Sequence, residues 1–173
     1  SRTGSEDDDS DMTTASLSGR FFASDRLTVD FGARVVDAYS QFDPVDFLVT
    51  GLPADGDVAT DTSQTYWHIG SSLESPGGRF LHHLNVRYFD ASNTNLTDGV
   101  EMSSTASDRT TLSYQADIRL AENMLSLALE HETTNFEQRG EVGFGDPNQD
   151  QDTSVNSVIA DYQGHSIDRI TWL

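Results

Sequence analysis

Residues 63–90 constrain the fold most, because they read as two strands joined by a tight turn. Large apolar residues recur at every second position through both arms: Trp67, Ile69, Leu73, Phe80, Leu84, Val86 and Tyr88. A period of two is typical of a strand with one apolar and one polar face. The intervening Ser75-Pro76-Gly77-Gly78 favours a turn, because proline presets φ and glycine adopts positive φ. The segment therefore predicts a β-hairpin.

The same pattern recurs along the whole chain. The predicted hairpins span four ranges: residues 13–41, 63–90, 110–133 and 156–173. Residues 1–11 are expected to be an acidic loop, and longer polar loops are expected at 42–62, 91–108 and 134–155. The sequence therefore predicts an all-β fold, an antiparallel up-and-down meander of about eight long strands.

Two features of this meander point to a membrane. Short turns alternate with long loops, as in outer-membrane β-barrels, and strands of about ten residues exceed the five or six that are usual in soluble sheets. The face opposite the apolar residues carries too many charges for a dry core. These residues are interpreted as lumen-facing: Arg20, Asp30, Arg34, Glu74, Arg87, Asp117, Arg119, Glu130, Glu132 and Asp161. A soluble antiparallel sheet with one solvated face has the same alternation and stays the alternative.

Composition excludes several classes of protein. The chain has 29 acidic against 10 basic residues and a net charge of −19. We therefore expect no nucleic-acid partner, because phosphates bind cations. The lack of cysteine excludes disulfides and thiolate metal sites. No apolar run approaches the roughly 20 residues of a transmembrane helix.

Five segments carry a resemblance to a known family: R-T-G-S-E-D-D (2–8), D-R-L-T-V-D-F-G-A-R (25–34), T-L-S-Y-Q-A-D-I-R-L (111–120), L-A-L-E-H-E (127–132) and F-G-D-P-N-Q-D-Q (144–151). They resemble the barrel of TonB-dependent outer-membrane receptors, most closely the vitamin B12 (cobalamin) receptors of Gram-negative bacteria. The resemblance implies that residues 1–173 are a segment of a large transmembrane β-barrel in the cell outer membrane.

The resemblance also implies a function and partners. The function would be TonB-coupled uptake of a scarce nutrient, cobalamin or a siderophore-like small ligand. The partners would be outer-membrane lipid, the receptor's own plug domain and the TonB complex. Because no plug and no TonB-binding segment are recognised in this sequence, we expect the chain to be a piece of a longer protein.

A candidate calcium site lies in the third expected loop. Oxygen-bearing side chains occupy every second position: Asp146, Asn148, Asp150 and Asp152. Such ligands suit calcium, and the resemblance implies calcium assistance through loop aspartates. A solvated acidic loop is the competing interpretation.

The sequence predicts no enzymatic activity. His82 and His83 would point to opposite faces of a strand and therefore would not hold one metal ion. No nucleophile elbow and no glycine-rich phosphate loop is found. Binding and transport are the expected function, and a soluble or cell-surface β-sheet binding module, with or without calcium, is the alternative.

Overall fold

The computed structural model describes residues 9–43, 51, 56–141, 145–165 and 171–172. Within these residues the chain forms seven long antiparallel strands in one open sheet. The strands are β1 (Ser10–Phe22), β2 (Leu27–Phe42), β3 (Val58–Glu74), β4 (Phe80–Thr97), β5 (Val100–Leu120), β6 (Asn123–Gly140) and β7 (Gln149–His165). They pair in sequence order, so the sheet is the up-and-down meander that the alternation predicts.

The expected eighth long strand is wrong. Only a two-residue segment, β8 (Thr171–Trp172), pairs with Gly164 and His165 at the end of β7. Two residues form very few ladder hydrogen bonds, and a terminal segment has a single neighbour to hold it. Residues 166–170, which were included in the last predicted hairpin, lie outside the described residues.

Short turns connect β1 to β2, β3 to β4 and β5 to β6 at one end of the sheet. In the β3–β4 turn the Ser75 amide donates to the Phe80 carbonyl (2.8 Å), and the Gly78 amide donates to the Ser75 carbonyl (2.9 Å). Gly77 and Gly78 have φ values of 85° and 68°, a region that favours glycine. The sequence Ser75 to Gly78 thus forms the turn that it predicts.

The expected loop at residues 91–108 is wrong. Strand β4 continues to Thr97, strand β5 begins at Val100, and only Asp98 and Gly99 join them. Their φ values of 52° and 71° fit a type I′ hairpin turn, for which Asp-Gly is a strong sequence indicator. The segment is polar on both faces, which suggested a loop. Its backbone nevertheless pairs with the neighbouring strands, and this pairing does not require apolar side chains.

The other two expected loops are shorter than the sequence suggested. Strand β3 begins at Val58, so the connection after β2 covers residues 43–57. Strand β6 continues to Gly140 and β7 begins at Gln149, which leaves residues 141–148 as the third connection. Polar strand ends therefore replace much of the expected loop structure.

The expected acidic loop at residues 1–11 is described only from Asp9 onward. Ser10 and Asp11 already belong to β1, where they pair with Ser40 and Tyr39. Residues 1–8 lie outside the described residues. The start of β1 is thus earlier than the predicted start at residue 13.

Gly99→Ala is expected to destabilise the protein by about 1 kcal/mol, because an L-residue at positive φ costs roughly 1–2 kcal/mol. Ala121, in the β5–β6 turn, has a φ of 57°. The opposite change, Ala121→Gly, is therefore expected to raise stability by up to about 1 kcal/mol. The midpoint of urea unfolding, compared with that of the wild type, measures the change in stability of both variants. An unchanged midpoint for Gly99→Ala would contradict the turn geometry.

The register assigns each side chain to a face, because residues opposite each other in an antiparallel ladder share one. We call one of these the apolar face. Its large apolar residues are Leu17, Phe21, Leu27, Val29, Phe31, Val35, Tyr39, Trp67, Ile69, Leu73, Phe80, Leu84, Val86, Tyr88, Leu96, Leu112, Tyr114, Ile118, Leu120, Leu125, Leu127, Leu129, Val158 and Tyr162. The opposite side is the polar face.

The apolar face has no covering layer within the described part of the chain. Ala59 is the one buried apolar residue there, at 2% exposure. Leu17, Ile69 and Leu129 are 68%, 52% and 55% exposed. A contiguous apolar surface of this extent is typical of a face that meets a membrane or another protein.

The apolar residues form a band that is slanted at one margin. Toward the Asp98–Gly99 end, the continuous run of large apolar residues on β2 to β7 ends at Val35, Trp67, Tyr88, Leu112, Leu129 and Val158. Tyr39 and Leu96 lie farther along β2 and β4 on the same face, separated from this run by polar residues. The register row of Val35 continues through Thr65, Asp90 and Asp152, so on later strands the same row is polar. The margin thus shifts by about one residue per strand, which at about 3.3 Å per residue and about 4.8 Å between strands is a tilt of about 35°.

Candidate functional site

The polar face brings together all ten charged residues that the sequence suggests as lumen-facing. They are Arg20, Asp30, Arg34, Glu74, Arg87, Asp117, Arg119, Glu130, Glu132 and Asp161. The row of Asp30 shows the placement, since it continues through Gly70, Asn85 and Ser113 to Glu130. The ten side chains therefore form one charged surface on the side of the sheet away from the apolar band.

Ion pairs cross this surface between strands that are not neighbours. Arg87 Nη2 on β4 lies 3.0 Å from Glu130 Oε2 on β6, over the intervening β5. Arg119 Nη1 on β5 lies 3.6 Å from Glu74 Oε1 on β3. It also donates to the Gly78 carbonyl at 3.0 Å. The groups are substantially exposed, and each such pair contributes at most about 1 kcal/mol.

Two histidine–aspartate pairs lie on the same face. His68 Nε2 is 3.5 Å from Asp30 Oδ2, and His83 Nε2 is 3.4 Å from Asp117 Oδ2. The Nδ1 atom of His83 hydrogen-bonds with Ser72 Oγ at 3.0 Å. The second ring nitrogen of His68 is buried and has no hydrogen-bond partner. Each pair joins two neighbouring strands, and the second pair is also in contact with the hydroxyl of Ser72.

Two glycines make room for the first pair. An ideal Cβ at Gly32 would lie 2.5 Å from the His68 ring, and one at Gly70 would lie 2.8 Å from the Asp30 carboxylate oxygens. Gly32 is opposite His68 and Gly70 is opposite Asp30 in the register. Each larger side chain therefore lies over the glycine of the partner strand, which brings the imidazole and the carboxylate together.

A hollow of about 290 Å³ opens on the polar face. It is lined by Arg34, Val36, Gln64, Tyr66 and Phe89. In the register Arg34 is opposite Tyr66, and Tyr66 is opposite Phe89. The rings of Tyr66 and Phe89 form a small apolar area within the charged surface, and the guanidinium of Arg34 lies beside it.

The candidate calcium ligands are not all in a loop. Asp150 and Asp152 are strand residues of β7, while Asp146 and Asn148 precede it. Asp146 Oδ1 accepts hydrogen bonds from the Asn148 backbone (2.9 Å) and side chain (2.7 Å). Asn148 Oδ1 in turn accepts from the Gly140 amide at 3.1 Å. No cluster of three or more metal-ligating acidic, histidine or cysteine side chains occurs among the described residues.

The Asp150 carboxylate is already paired with an arginine side chain. Arg139 Nη2 lies 2.7 Å from Asp150 Oδ1 and 2.6 Å from Glu137 Oε1. The hydrogen bond to Asp150, with the negative charges of Asp150 and Glu137, raises the pKa of the Arg139 guanidinium above its ordinary value. A divalent ion at Asp150 would therefore compete with this guanidinium.

Arg139→Gln is expected to increase the response to calcium, because it frees two carboxylates from their cation. The measurement is the melting temperature with calcium and with chelator, for the wild type and the variant. The control is Arg119→Gln, which removes a guanidinium at the opposite end of the sheet. An equal or larger calcium response in the wild type would contradict competition by Arg139.

The sequence predicts which residues lie on the charged face, but it does not predict which of them pair with one another. The pairs His68–Asp30 and Arg87–Glu130 join residues 38 and 43 positions apart, so no local motif indicates them. Phe89 was noticeable in the sequence as an apolar residue at a polar-face position. Its neighbours Tyr66 and Arg34 follow only from the register of three strands.

Comparison with protein-family models, with curated proteins and with solved structures found no match. In the part of the chain that the structure describes, no helix is long and apolar enough to cross a membrane.

Proposed function

We propose that the chain is a membrane-spanning segment of a β-barrel receptor in the outer membrane of a Gram-negative bacterium. The slanted apolar band is the observation that carries this proposal. The slant of about 35° at the margin toward Asp98–Gly99 lies at the lower end of the strand tilt in outer-membrane barrels, whereas the margin near the short turns stays in one register row from Phe80 to Tyr162. The band therefore narrows along the sheet. It covers about nine residues on β2 and β4, about 24 Å at this tilt, and about five on β6 and β7, about 14 Å. Outer-membrane barrels have an apolar band of about 25 Å.

Aromatic residues at the margins of the band support the same placement. Trp67 and Tyr88 stack at the margin toward Asp98–Gly99, with ring centroids 5.7 Å apart and an interplanar angle of 26°. Phe80 and Tyr162 share one register row at the margin near the short turns. Girdles of aromatic residues are typical of both interfaces of a membrane barrel.

The open edges support a larger barrel. Within the described residues β1 pairs only with β2, which leaves its other edge without ladder hydrogen bonds. A lipid-exposed edge is not viable in hydrocarbon, because every unsatisfied backbone group costs several kcal/mol. In this proposal further strands of the receptor cover both edges, and the charged polar face lines a wet lumen and contacts the plug domain.

The transport role depends on the resemblance of the sequence to TonB-dependent receptors. The receptor would bind a scarce nutrient, cobalamin or a siderophore-like ligand, and use TonB-coupled energy for its passage. Ligand and plug would meet the polar face, whereas lipid would meet the apolar band. No covalent chemistry is part of this function.

Tryptophan quenching in bilayers tests the proposed placement. In a Trp172→Phe background, Trp67 reports on the apolar face, and brominated lipid is expected to quench its fluorescence strongly. The matched control, Trp67→Phe with Tyr66→Trp, moves the indole to the polar face and is expected to escape the lipid quencher. Equal quenching at both positions, or none at Trp67, would favour the soluble or cell-surface binding module instead.

A further inference from the structure

The hollow at Arg34 has a charge that no residue in the described part of the chain neutralises. Among the described residues Arg34 has no ion pair, whereas Arg87, Arg109 and Arg119 on the same face each have a glutamate within 4.0 Å. The positions next to Arg34 on this face contain no carboxylate: Thr14, Ser16, Ser18, Gly32, Val36, Gln64, Tyr66 and His68. In a chain with 29 acidic residues, this is a local exception.

Two further arginines lie near the rings, and each of them is paired with a glutamate. Phe89 is opposite Arg109 in the register and is two residues from Arg87 on β4. Tyr66 and Phe89 are 38% and 37% exposed, so their rings are available for contact. On the other side of the sheet, at the neighbouring positions of the same two strands, the rings of Trp67 and Tyr88 stack. The hollow thus combines a guanidinium that has no ion pair among the described residues with two accessible aromatic rings.

We propose that this hollow binds a small organic anion with a flat apolar body. The guanidinium of Arg34 would pair with a carboxylate, for which its planar fork of donors is well suited. The flat body would lie against the rings of Tyr66 and Phe89, where stacking and burial of apolar area stabilise it. This inference rests on the proposed function, in which the polar face lines the route of the ligand, and it specifies the class of ligand.

Binding of 2-naphthoate, compared with neutral 2-naphthamide, tests the inference. Both probes have the same flat ring system, and only the first has a charge. Fluorinated forms are titrated against the full protein in nanodiscs and followed by fluorine NMR. The wild type is expected to bind the naphthoate more tightly than the amide. Arg34→Gln is expected to weaken naphthoate binding about tenfold and to leave the amide unchanged, as loss of a charge-assisted hydrogen bond does.

Two further variants separate charge from shape. Arg20→Gln removes a guanidinium from the same face, but Arg20 is opposite Asp30 and away from the hollow, so no effect on either probe is expected. Phe89→Leu is expected to weaken both probes by about three- to tenfold, because it removes a stacking surface. Equal affinity of the wild type for both probes, or the same loss in Arg20→Gln as in Arg34→Gln, would overturn the inference.

The same samples distinguish failure of this inference from failure of the proposed function. Quenching of Trp67 by brominated lipid reports insertion before each titration. An inserted protein without a preference for naphthoate would overturn only the anion site. A protein that does not insert would overturn the membrane proposal, and the titration is then run in aqueous buffer, where the polar face is equally open and the same outcomes apply.

Discussion

Leu127→Arg is expected to destabilise the protein in bilayers by an amount between about 0–1 kcal/mol, the cost of a lipid-facing arginine near an interface, and about 2–4 kcal/mol, the cost at the midplane. Leu127 lies two residues from Leu125, which shares the register row of Phe80 and Tyr162 at the margin of the band. Leu127 is 42% exposed and lies between Leu125 and Leu129 in the apolar band of β6. Its side chain therefore meets hydrocarbon if the band spans a membrane.

Ser126→Arg is the matched control, one residue away on the opposite face. In the register Ser126 lies between Asp117 on β5 and Asp161 on β7, so a new guanidinium there meets two carboxylates. We expect Ser126→Arg to fold at least as well as the wild type. Urea unfolding in bilayers measures both variants. Equal losses of stability at the two positions would contradict the assignment of the faces.

Gly70→Val is expected to cost about 1–3 kcal/mol, the usual effect of overpacking a filled space. An ideal Cβ at Gly70 would lie 2.8 Å from oxygens of Asp30 and Asn85. The added side chain would displace the Asp30 carboxylate from His68, which is 3.5 Å away. The loss thus combines steric strain with a weakened cross-strand pair.

Gly145→Val is the control for this change, because no atom of the described residues lies within 4 Å of an ideal Cβ at Gly145. It is expected to be close to neutral. The same urea experiment compares the two variants with the wild type. If Gly70→Val unfolds at the wild-type midpoint, the contact between Asp30 and the backbone of β3 is not as close as described.

Alternation was enough to predict the strand type, the order of the hairpins and the division into two faces. It identified Arg87 and Glu130 as members of one face, and they form an ion pair. It failed where both faces are polar, as at residues 91–108. There only the dipeptide Asp98-Gly99 indicated a hairpin turn, and the surrounding Ser, Thr and Asn residues obscured it.

The candidate site was predictable as a surface but not as a set of contacts. A face depends on parity along one strand, whereas a contact depends on the register of two or three strands. The regular spacing from Asp146 to Asp152 suggested a set of calcium ligands. The pairing of β6 with β7 instead places Arg139 beside Asp150. Likewise, the hollow at Arg34 exists because three strands align Arg34, Tyr66 and Phe89.

The strictly sequential strand order has a consequence for assembly. Within the described residues only consecutive strands form backbone ladders, so no strand waits for a distant part of the chain before it can pair. Such an arrangement is almost one-dimensional, and its stability is close to a sum of nearest-neighbour terms. Growth one hairpin at a time is then possible from any starting point, and the unit already formed serves as the template for the next.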